Sequence, residues 1–424
     1  MTVKQRFKSS IKRGTGEAYL LMMQYPNLDF SADIIRASLK NLSYDNQCES
    51  RAEYVWGLIK LAKQKNKIKQ AILKGLAREQ EKSYALYQLF DLAASFAVAG
   101  DSEAKKAVYK RYGHKAIKAS EFYGENAIIK IDGLKGLLYV AHVNGKVFDK
   151  DPEMWDDSFT VDCFQKENPK IKVYDELKKA AKSDKHIKIY LDMILKHKFR
   201  RPRRRKSDCN YETIKKWILT RRFFYLSPSR AKELPENDIK KLADDFLKEK
   251  TRIMQAKYLG IFTTVKYPYD YRILLEHAKR PYSSKDMLVE RAVDALGFFT
   301  GDDIRRFALK QIRISKRPEV YTNLLMENYK EGDGKRLYDI IERTRNPHKL
   351  HDLAHSCRDI YEKNKTKDCL KPLMALYDRI NCGICREDIV KIMIENDVLP
   401  ERIWEEIKYD SEEETRELAK NSVK

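Results

Sequence analysis

Apolar residues recur along almost the whole chain at intervals of three and four. Leu288, Ala292, Ala295, Leu296 and Phe299 make one stripe. Ile304, Ala308 and Ile312 make the next, and Ile389, Ile392 and Met393 another. That spacing puts one apolar face on each helix and leaves the opposite face in water. Long alternating runs, which would bury one face of a strand, are missing. The pattern predicts an all-α chain of helices about 10–20 residues long, separated by short turns. Composition agrees: 35% of residues are charged, above the roughly 25% of an average domain, as many half-solvated helices require.

The helices are predicted to come in pairs. "DMLVERAVDALGFF", "TGDD" and "IRRFALKQIRIS" read as helix, turn and helix. "YALYQLFDLAASFAVA", "GDSE" and "AKKAVYKRY" repeat the plan, and a third Gly-Asp lies at Gly332–Asp333. Glycine can close one helix in a left-handed conformation, and aspartate can cap the next. The chain also echoes itself near its two ends. "YDNQCESRA" (Tyr44 to Ala52) and "YDSEEETRE" (Tyr409 to Glu417) share Tyr-Asp, a Glu four residues after the Asp, and an Arg two further on. A helical hairpin cannot bury its apolar face alone, so the expected architecture is a stack of hairpins with a period of about 30–45 residues.

The turns resemble those of HEAT repeats. The stretch from Asn381 to Lys420 resembles the C-terminal end of a group of bacterial HEAT-repeat proteins of unassigned function. It has their Cys-x-x-Cys-Arg-Glu turn, a Leu-Pro helix start and an acidic last helix. The likeness extends plausibly back to about Met287 and is only general before that. It implies a right-handed α-α superhelix, the HEAT or armadillo solenoid, and no chemistry. Three divisions are expected: a basic helical-repeat segment at 1–143, an irregular insertion carrying a basic run at 144–206, and HEAT-like repeats at 207–424. "NGKVFDKDPEMWDDSFTVDCFQKENPK" motivates the second, with its clustered Asp and Pro.

Charge supplies the functional expectation. The chain has 85 Lys and Arg against 63 Asp and Glu, a net charge of +22. Residues 1–150 contribute +11 and residues 151–270 contribute +10, leaving +1 for the rest. Such asymmetry marks a polyanion-facing part, although a generally lysine-rich surface would also produce it. The excess peaks in "HKFRRPRRRKSDC", where Arg200, Arg201, Arg203, Arg204, Arg205 and Lys206 fall within eight positions. Pro202 opposes a continuous helix there. Lys215, Lys216, Arg221 and Arg222 follow, interleaved with Trp217, Phe223, Phe224 and Tyr225. Guanidinium groups pair with phosphates, and aromatic rings stack on unpaired bases. The ten basic residues are therefore the expected nucleic-acid contacts. A solvated loop beside a core helix is the competing reading, and a targeting signal a further one.

A second constellation is His348, His351, His355 and Cys357, followed by Cys382 and Cys385. His351 and His355 are four apart and share a helix face. With Cys382 and Cys385 they would complete a tetrahedral zinc site. Ordinary packing of polar helix residues explains the same pattern. Redox use of the Cys-x-x-Cys lacks a thioredoxin-like frame. No Gly-rich phosphate loop, G-x-S-x-G or H-E-x-x-H is present.

The expected function is non-catalytic: a scaffold that binds nucleic acid or another polyanion. An acidic protein is the alternative partner, and no cofactor is expected. One enzymatic option comes from the resemblance, because some HEAT-like solenoids are DNA glycosylases that act on alkylated bases with a Trp and an acidic residue. Trp56 with Glu53, or Trp155 with Asp156 and Asp157, would fill those roles. The N-terminal residues lack the apolar core of a secretory signal, no run of about 18 apolar residues exists, and seven cysteines suit reduced thiols. A cytoplasmic location without membrane contact is expected.

Overall fold

The computed structural model describes residues 1–46, 49–80, 83–115, 123–151, 153–197, 209–222, 224–283, 285 and 287–421. Among them are 25 α-helices, two 3-10 helices and no strand, so the fold is all-α. None of these helices is long and apolar enough to cross a membrane. The chain divides into two compact units. The first comprises Met1–Pro202, Asn381–Gly383 and Glu401–Lys424, and the second Arg203–Ile380 and Ile384–Pro400. Helix Leu134–Lys150 runs straight through residue 143, and helices Phe159–Glu167, Val173–Ala180 and Lys185–Lys196 occupy much of the stretch before the basic run.

Local chemistry sets the helix ends. Asn346 accepts hydrogen bonds from the backbone N–H of His348 and Lys349, and Pro347 takes the first helical position of Pro347–Lys363. Asp184 caps Lys185–Lys196 in the same way. The Gly-Asp turns are not uniform. Gly100 and Gly332 adopt the left-handed conformation, with φ of 97° and 92°. Gly301 is extended at φ −178°, and Asp303 rather than Asp302 accepts from the Ile304 N–H. Asp101 caps as expected, accepting from the Ala104 N–H at 2.9 Å.

In the first unit, helix Tyr84–Val98 is buried along Leu86, Leu89, Phe90, Leu92, Ala93 and Ala94. Its polar interruption Gln88 is satisfied: the side-chain amide donates to the carbonyls of Ala37 (2.7 Å) and Ser38 (2.9 Å). The two echoing segments meet in this same unit. Arg51, 2% exposed, donates to Glu49 (3.1 Å), to the Asn381 carbonyl (3.1 Å) and to the Ser411 hydroxyl. Arg416 answers by reaching Glu53 at 3.3 Å and the Asp410 carbonyl at 2.8 Å. The Ser411 N–H donates to the Gly14 carbonyl, and the Tyr19 ring stacks on Tyr409 at 5.2 Å. Gly14 sits where a Cβ would fall 1.1 Å from the Arg51 guanidinium, so only glycine admits the arginine.

The second unit contains a repeat written in asparagines. Asn328, Asn364 and Asn396 lie 36 and 32 residues apart, each at or just beyond a helix end. Each donates its side-chain amide to the carbonyl four residues earlier, that of Leu324, Ile360 or Ile392, at 2.9 Å. Each also reaches back to an earlier turn. Asn328 binds the Phe299 carbonyl and the Gly301 N–H, Asn364 the Met326 carbonyl, and Asn396 the Thr366 N–H. Parallel ties add to the ladder. Tyr271 donates to Asp303, Arg305 to Asp333 and Tyr329 to Asp368, across 32, 28 and 39 residues. Successive turns are thus stitched at roughly one repeat length. Asn328→Ala leaves the Gly301 N–H and the Phe299 carbonyl without their partner in a buried site. We expect a loss of about 2–3 kcal/mol in chemical denaturation.

Candidate polyanion-binding surface and neighbouring sites

Helix Tyr211–Thr220 begins with Asn210, whose side chain accepts from the Thr213 N–H. It buries Ile214 and Ile218, which turns Lys216 and Leu219 outward. Arg221, Arg222 and Tyr225 are exposed as the chain leaves the helix. The half-buried Trp217 ring holds two guanidinium groups, that of Arg221 at 4.6 Å from its centre and that of Arg230 at 4.8 Å. Cation–π contact restrains the arginine side chains while their N–H edges stay able to meet phosphate. Lys215 is different. Its ammonium lies 2.8 Å from Asp245 and donates to the Tyr211 hydroxyl, bonds that hold its pKa above the usual lysine range. Its charge is neutralised locally, so it is a poor phosphate contact. Arg200, Arg201, Arg203, Arg204, Arg205 and Lys206 lie outside the described residues, as does Phe223.

The zinc expectation is met by three of its four residues. Donor atoms of His351, His355 and Cys385 lie within 4.8 Å of one another, all in the second unit. Cys382 is buried but is not one of the three. His348 begins the same helix and is exposed. A second group, His142, Asp184 and His186, converges in the first unit, where its residues lie apart in sequence.

The tryptophan pairs separate. Trp56 packs edge-on against Phe96 at 4.8 Å, and with Glu53 it lines a cleft of about 430 Å³ beside Tyr19 and Tyr409. Glu53 is engaged there by Arg416. Trp155 is 63% exposed, 5.9 Å from the His197 ring. Its neighbours are acidic: burial, with the charge of Asp157, pushes Asp156 up to about 6.

Sequence reasoning passed over Glu125. This carboxyl is buried and accepts from the Asn144 amide and the Thr160 hydroxyl, both at 2.7 Å. The Tyr112 hydroxyl in turn donates to Asn144. Burial raises Glu125 to about 7, the nearby Asp156 charge adds to the rise, and the Thr160 and Asn144 bonds oppose it. Glu125 borders a cleft of about 860 Å³ with Tyr87, Phe90, Asp91, Lys130 and Phe159. Asp91 is raised to about 6 by burial against the opposing Lys130 charge. No motif marks this cleft, because Glu125 sits in an ordinary helical start, "YGENAIIK". No protein-family model and no curated protein matches the sequence.

Proposed function

We propose that this chain is a non-catalytic HEAT-like scaffold in the cytoplasm that binds nucleic acid, or a polyanion of similar charge density, through its basic segment at 200–222. The observation that carries the reading is the Arg221–Trp217–Arg230 cluster beside the densest basic run in the chain. Solvated lysines alone would need no such aromatic support. Guanidinium groups held on a ring lose less side-chain freedom on meeting phosphate, and the exposed Tyr225 offers a stacking surface. Stacked helical hairpins present such a segment on a rigid frame, which the asparagine ladder supports.

Binding of a labelled single-stranded oligonucleotide, followed by fluorescence anisotropy, tests the segment. Replacing Arg203, Arg204 and Arg205 with Ala should weaken binding at moderate salt. It should also flatten the slope of log K against log[salt] by about 2.5–3, near 0.9 for each lost phosphate contact. Unchanged affinity in the triple variant would remove the segment from the interface.

A further inference from the structure

Two clusters of metal-ligating side chains stand outside the basic segment, and their chemistry separates them. In the first, Asp184 already uses both oxygens. One accepts from the His186 and Ile187 backbone N–H groups, capping a helix, and the other lies 2.7 Å from His142 Nδ1. The adjacent Asp149 is held by Lys185 at 3.0 Å. Those carboxylates are engaged in holding the fold. The second cluster brings a sulfur and two imidazoles together with no carboxylate among them.

We propose that His351, His355 and Cys385 form a binding site for a zinc-class divalent cation. The helix cap at Asn346 and the proline at its first turn set the register of Pro347–Lys363. The i, i+4 spacing then places His351 and His355 on one face, with ring centres 4.5 Å apart at 76°. Cys385 enters from the first turn of helix Gly383–Glu395, where the helix dipole favours a thiolate. Its Sγ lies 3.9 Å from His355 Nε2. In a tetrahedral zinc site, bond lengths of about 2.0–2.1 Å to nitrogen and 2.3 Å to sulfur put the ligand atoms roughly 3.3–3.6 Å apart. The three donors need shifts of only about 1 Å to close on an ion. Cys385 is buried and the histidines are half-buried, so the ion would be shielded on the protein side with a water completing its coordination. Thiolate and imidazole select zinc, cobalt or copper over magnesium and calcium. The site is independent of the basic segment and stands whether or not that segment binds nucleic acid.

The test uses the full chain, stripped with chelator and titrated with Co²⁺ under reducing conditions. One equivalent should produce tetrahedral d–d absorption together with a thiolate-to-cobalt charge-transfer band, and Zn²⁺ should bleach both. Cys385→Ser should abolish the charge-transfer band. His355→Ala, at a more exposed position, should lower cobalt affinity at least about tenfold with the helical circular dichroism intact. His142→Ala should change neither. A titration without a charge-transfer band overturns the proposal. So does a band that survives in both Cys385→Ser and His355→Ala, or one that is lost in His142→Ala.

Discussion

Arg51→Ala is expected to destabilise the first unit by about 3–5 kcal/mol, the usual consequence of removing one partner from a buried ion pair. Arg51 and Glu49 are 2% and 6% exposed, so the truncation strands a carboxylate with little water to solvate it. The same guanidinium ties the segment before residue 52 to Asn381 and Ser411, so its loss also loosens the C-terminal segment within that unit. Urea denaturation should show the lower midpoint. Limited proteolysis should show earlier cleavage after residue 400. A change below about 1 kcal/mol would mean that this contact contributes no more than a surface ion pair does.

The second large effect concerns pH. Glu125 has a folded-state pKa of about 7, against an ordinary value of 4.5. Between those values the folded chain keeps a proton that the unfolded chain releases. Stability from this group is therefore fully present below about pH 4.5 and declines as pH rises to 7, by about 3 kcal/mol in total. Asp91 and Asp156, both raised to about 6, act in the same direction. Glu125→Gln removes the ionisation and can keep bonds to Asn144 and Thr160, because the threonine hydroxyl can accept as well as donate. The variant should lose most of the fall in stability between pH 5 and pH 8. A wild-type protein whose midpoint rises over that range would contradict this account of the cleft.

The helical character of the chain was legible because burial of one face enforces the 3.6-residue spacing, as at Leu288, Ala292, Ala295 and Leu296, all buried. The asparagine ladder was legible too, although it was overlooked. "LLMEN", "IYEKN" and "IMIEN" each place a Leu or Ile four residues before the Asn whose amide reaches its carbonyl. The echo of Tyr44–Ala52 in Tyr409–Glu417 was visible as a pattern, but not as a contact. Arg51 and Ser411 are 360 residues apart, and local propensity says nothing about pairs at that separation. Glu125 shows the same limit: its raised pKa depends on Asp156 and on burial, neither written near it. The metal expectation carried further because the i, i+4 geometry of His351 and His355 is local, whereas the partner cysteine had to come from another helix.

The central claim is that the basic excess exists to capture phosphates. Its most direct measurement is the affinity of the wild-type chain for a single-stranded oligonucleotide across a range of salt concentrations. With six contacts from the basic run, log K should fall linearly against log[salt] with a slope of roughly −5. A slope near zero, or no binding at low salt, would contradict the account.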